Sequence, residues 1–273
     1  MIKAILVAAA VSATLLAAPL ARADNGVEYY LSLGDSLAVG EQPSNAYFDS
    51  TNQGYADQLW RSRRTSDHGL VLVKLGCSGE TTTSMVEGFP FGSRFPPPHG
   101  GALCHYRHGS QLADAVAFLE LHRNQIAFVT IDIGANDILS GGGVTAIEAN
   151  LSLILTALRA AAGADVPIVG MNYYDPLLAL IWFTTFDLDA LEAEAKSDVL
   201  NGTLEGIYSS FGDPVAKVDE AFANTDLTIQ PDGLPLNVQR ICQWTWICVA
   251  GDHHPNADGY AVIAEAFDAE LPQ

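Results

Sequence analysis

Four residues spread along the chain are of the types that acyl chemistry needs: Ser36, Gly79, Asn136 and His254. Ser36 follows a short run in which apolar Leu31 and Leu33 alternate with Ser32, and Gly34 breaks that run. A serine so placed sits at the carboxyl end of a strand, where open α/β sheets put their chemistry. Its hydroxyl is a weak nucleophile, so it needs a base to take the proton and donors to hold an oxyanion. His254, in Gly251-Asp252-His253-His254-Pro255-Asn256 ahead of a closing helix, is the expected base, with His253 a bystander. The expected donors are the Ser36 and Gly79 N–H groups and the Asn136 carboxamide. Glycine would let a backbone donor approach closely, and an amide donates without a charge that must be desolvated.

These groups need a scaffold. Apolar runs at 29–33, 70–75, 126–133 and 166–172, with a weaker one at 215–219, read as five strands. The first three each end in a glycine turn, and those turns carry Ser36, Gly79 and Asn136. Helical spacing falls between the runs, over 54–64, 110–122, 144–162, 186–210 and 257–271. Strands alternating with helices predict an α/β fold with a parallel sheet and right-handed crossovers. In the doubly wound order 2-1-3-4-5, Ser36 would lie between Gly79 and Asn136. The second strand, nearly all apolar, is expected to be covered on both faces. Residues 84–110 form a long excursion rich in Phe, Pro and Gly, and the 230s read as loop. The apolar stretch 177–183 reads equally as a buried helix or as an exposed lip beside the site.

Residues 1–23 carry Lys3, an apolar run from Ala4 to Leu20, and Ala21-Arg22-Ala23, the pattern of a cleaved signal peptide. An uncleaved membrane anchor is the alternative, and the run is short for a span. Residues 24–273 are then expected to form a single exported domain, with no later run long enough to cross a bilayer. The formal charge of −19 argues against nucleic acid or an anionic membrane as partner. Four cysteines in an exported chain point to disulfides, with three pairings open. Cys77 with Cys104 and Cys242 with Cys248 are preferred over a zinc site built on Cys104, His99, His105 and His108. Asn150 and Asn201 begin short glycosylation patterns that also arise by chance.

In its blocks the chain resembles the GDSL family of serine esterases and lipases, also called SGNH hydrolases. Gly34-Asp35-Ser36-Leu37 matches the first block, Gly79 the second, Gly134-Ala135-Asn136-Asp137 the third and His254-Pro255 the last. The resemblance implies a flavodoxin-like three-layer α/β/α sandwich, and a nucleophile, glycine, asparagine and histidine that act together on esters. It departs from the pattern at Gly251, where many members have an aspartate. Either Asp252 orients His254 in its stead, or a main-chain carbonyl does. The expectation is a secreted serine esterase or lipase that forms an acyl-enzyme on Ser36 and needs no metal or organic cofactor. Its substrate would be a small-molecule or lipid ester. A carbohydrate (acetyl) esterase of the same fold is the nearer rival, and a non-catalytic ligand-binding protein the more distant one.

Overall fold

The alternation that ends at Gly34 builds the central strand of the molecule. The computed structural model describes residues 26–43, 48–66, 68–89, 104–184 and 188–273. The expected leader, residues 90–103 of the long excursion and His99 lie outside them. Strands form in chain order as β1 (Glu28–Gly34), β2 (Glu41–Pro43), β3 (Phe48–Ser50), β4 (Leu70–Lys74), β5 (Ile126–Asp132), β6 (Ile168–Met171) and β7 (Val215–Ala216). Five of them make one parallel sheet in the order β4-β1-β5-β6-β7, the doubly wound arrangement that the sequence predicts. In register, Gly34 lies beside Asp132. A Cβ at Gly34 would fall 2.2 Å from the Asp132 carbonyl oxygen, so only glycine lets β1 turn there.

Helices flank this sheet on both sides. Tyr55–Arg63 packs on Ala257–Glu270, with Tyr55 stacked on Phe267 at 4.8 Å. Gln111–Leu121, Val144–Ala162 and Leu188–Phe211 pack in a row. Ser110 caps the first of that row by accepting from the Ala113 N–H at 3.2 Å. Val144–Ala162 is long and apolar enough to cross a membrane, contrary to the expectation that no later run is. It is used as a core helix instead, burying Ile147, Leu151, Ile154, Leu155 and Leu158.

Two further expectations need correction, and one element comes unannounced. Among the described residues β4 is an edge strand, and it is only partly covered, with Val71 exposed. The 230s hold a helix, Leu236–Trp244, that buries Val238 and Ile241. Residues after Ser36 form an antiparallel hairpin, β2 with β3, that no apolar pattern announces. The stretch at 177–183 is neither wholly buried nor wholly exposed. Its helix, Leu177–Phe183, buries Leu178 and Ala179 and exposes Leu180, Trp182 and Phe183.

Candidate active site

The turn after β1 starts a one-turn helix, Ser36–Val39, capped by the Asp35 carboxylate, which accepts from the Leu37 N–H at 3.0 Å. Gly40 ends it in the left-handed conformation, φ 71°. The buried Ser36 hydroxyl thereby faces the loop before the last helix. His254 Nε2 lies 2.9 Å from Ser36 Oγ, across 218 residues of sequence. On the other side of the ring, Nδ1 lies 3.0 Å from Asp252 Oδ1, and the same oxygen accepts from the His254 N–H at 2.9 Å. Asp252 therefore bends back onto the imidazole despite standing only two residues before it.

The His254 loop is tied down at both ends. Cys242 is bonded to Cys248, and the Trp246 N–H donates to the His254 carbonyl at 3.0 Å. Asn256 caps the following helix, accepting from the Asp258 and Gly259 N–H groups. His253 stacks on His254, and the Tyr174 hydroxyl donates to the His253 carbonyl at 2.7 Å.

Electrostatics favour a charged imidazole. Burial pushes the His254 pKa down, but the Asp252 hydrogen bond and the charges of Glu41, Asp252 and Asp35 outweigh it, and the net shift is upward. Burial likewise works against the Asp252 carboxylate, and the His254 contact overrides it, so its pKa is lowered. Beneath the nucleophile lies a second carboxyl pair. The Asp35 N–H donates to Asp132 Oδ2 at 3.3 Å, and the Tyr55 hydroxyl donates to Asp132 Oδ1 at 2.5 Å. Burial raises both acids, Asp35 to about 6. Asp35 is thus a neutralisable acceptor under the turn, and Asp132 is its partner.

Gly79 and Asn136 come from the turns on either side of β1. The Asn136 carboxamide donates to the Glu80 carbonyl at 3.0 Å and to Asp35 Oδ2 at 3.3 Å, which ties the third turn to the second. Gly79 is exposed with φ 77°, and nothing lies within 4 Å of a Cβ built on it. Glycine adopts that backbone angle without strain. Cys77, at the start of that turn, is bonded to Cys104, which removes the thiolate that a zinc site would need.

Sequence reasoning missed the groups that hold the β1 turn from behind. Gln111 Oε1 accepts from the Gly34 N–H at 2.7 Å, and its Nε2 donates to the Gly34 carbonyl at 2.9 Å and to Glu80 Oε2 at 3.0 Å. The Tyr106 hydroxyl donates to the same Glu80 oxygen at 2.5 Å. Asn201 is likewise occupied, since its side chain accepts from the Tyr173 N–H and donates to the Tyr173 carbonyl, so the amide that glycosylation would use is buried. Asn150 donates to Thr82 and Thr83.

A parallel sheet with serine, imidazole and carboxylate in hydrogen-bonded file at its carboxyl edge is the arrangement of an α/β protein equipped for acyl chemistry, and the family match makes that class the carboxylic ester hydrolases. The chain belongs to the GDSL-like lipase/acylhydrolase family, which it matches over residues 32–262. Its fold is similar to that of the M. smegmatis aryl esterase, at a TM-score of 0.54 and 15% identity over 90% of this chain and 100% of that one. TesA matches at a TM-score of 0.51 and 16% identity, over 89% and 97% of the two chains. The protein YXIM of Bacillus subtilis matches at 0.56 and 11%, over 89% of this chain and 56% of that one. No curated protein matches by sequence.

Proposed function

We propose that the protein is a secreted serine esterase or lipase that works through an acyl-enzyme on Ser36. The observation that carries this reading is the file from Ser36 Oγ through the His254 ring to Asp252, with both contacts at hydrogen-bond length. His254 takes the Ser36 proton as the oxygen attacks the ester carbonyl, and Asp252 fixes the tautomer and stabilises the imidazolium. The Ser36 and Gly79 N–H groups and the Asn136 carboxamide hold the oxyanion, Asn136 giving up its longer contact to Asp35 to do so. His254 then protonates the leaving alcohol, and water removes the acyl group by the same route. No step calls for a metal or an organic cofactor.

The leader-like residues 1–23 and the two disulfides support export to an oxidising compartment. Exposed Leu180, Trp182 and Phe183 on the helix after β6 support acyl groups longer than acetyl. The test is a profile over p-nitrophenyl esters of graded chain length, run beside Ser36→Ala. Wild type is expected to peak beyond acetyl, and the variant to lose at least about a thousandfold in rate while keeping its far-ultraviolet circular dichroism. A folded variant at the wild-type rate would overturn the mechanism. A collapse beyond acetyl would replace the lipid reading with that of a carbohydrate (acetyl) esterase.

A further inference from the structure

Glu41 belongs neither to the file nor to the oxyanion donors, yet it stands five residues after Ser36, immediately past the left-handed Gly40. It is 5% exposed. Its carboxylate has no hydrogen-bond or ion-pair partner among the described residues, although its oxygens are not sealed from solvent. A carboxylate largely withdrawn from water and left unpaired is costly, and the cost falls when a ligand supplies a donor.

The backbone around Glu41 is fastened to the imidazole side of the site. Its carbonyl accepts from the Tyr260 hydroxyl at 2.8 Å, and Gln42 Oε1 accepts from the Trp246 indole N–H at 3.3 Å. Trp246 in turn holds the His254 carbonyl. The Glu41 charge acts on both neighbours of the nucleophile, raising His254 and Asp35. A general acid must reach the leaving oxygen, so the alcohol portion of an ester lies on the imidazole side of Ser36, away from the oxyanion donors.

We propose that Glu41 is a substrate-binding residue that accepts a hydrogen bond from the alcohol portion of the ester, supplied by a second hydroxyl or a protonated amine. The inference rests on the esterase reading and adds a substrate class to it. Plain alkyl esters would leave the carboxylate without a partner, whereas donor-bearing esters would satisfy it.

Two matched pairs of butyrate esters test this. One is 2-hydroxyethyl against propyl butyrate, and the other is 2-(dimethylamino)ethyl against 3-methylbutyl butyrate. The quantity read is the kcat/KM ratio within each pair, which cancels any general change in the enzyme, including one in His254 basicity. Wild type is expected to favour the donor member, and Glu41→Gln to cut the preference about fivefold in the hydroxyl pair and about tenfold or more in the amine pair. Glu41→Asp, which keeps the charge one methylene shorter, is expected to retain part of it. A change confined to one pair still supports the assignment and identifies the donor. Ratios unchanged within twofold in both pairs, with wild type active, would overturn the role of Glu41 and leave the esterase reading standing. A wild type inactive on all four esters would overturn both.

Discussion

His254 is pulled in two directions, and the balance sets how the enzyme responds to pH. Burial favours the neutral ring, while Asp252, Glu41 and Asp35 favour the charged one and prevail. Only the neutral ring can take the Ser36 proton. Activity should therefore rise through a pKa above the ordinary histidine value of about 6.5. In Asp252→Asn the limb should move to lower pH, and kcat at its plateau should fall by about two to four powers of ten. A kcat/KM profile between pH 5 and 9 checks both, and an unmoved limb would show that Asp252 is not the orienting group. Ser36, Asn136 and His254 were legible from sequence because glycine turns or a proline mark them off after recognisable runs. Gln111 was not, since its value lies in a contact 77 residues away and nothing local distinguishes it from any polar residue near a helix start.

Elements with a strong period were the ones that could be read in advance. The helix Val144–Ala162 falls where its apolar spacing puts it, because its buried side is continuous over 19 residues. Leu236–Trp244 is only nine residues long and buries just Asn237, Val238 and Ile241, a short buried face set among turn residues. The β2–β3 hairpin is short and mixed in polarity, and its place is set by contacts to Tyr260 and Trp246 from the far end of the chain. Apolar content alone likewise does not tell an edge strand from an inner one, which is why β4 seemed covered. Strand and helix meet most tightly at Gly170 in β6, where an added Cβ would fall 2.2 Å from the Tyr208 ring of Leu188–Phe211. Gly170→Ala should cost about 1–3 kcal/mol, read as a lower urea midpoint with an unchanged m-value. An unaltered midpoint would mean that the helix sits further from the sheet.

At the scale of the molecule, the parallel order turns distant residues into neighbours. β1 lies between β4 and β5, so the turns bearing Ser36, Gly79 and Asn136 converge, and the closing helix brings His254 back to them. The whole chain carries a formal charge of −19, which leaves neutral or cationic esters as the substrates that its field does not repel. Two disulfides fasten the approaches, Cys77–Cys104 at the Gly79 turn and Cys242–Cys248 at the His254 loop. All of this serves one contact, the imidazole on the Ser36 hydroxyl. The most direct measurement of it is reaction with a fluorophosphonate, followed by mass mapping of the adduct. One adduct per chain on Ser36, forming in step with loss of esterase activity and suppressed in His254→Ala, is the predicted result. An inhibited enzyme whose adduct sits on another residue, or an active enzyme that takes no adduct, would contradict it.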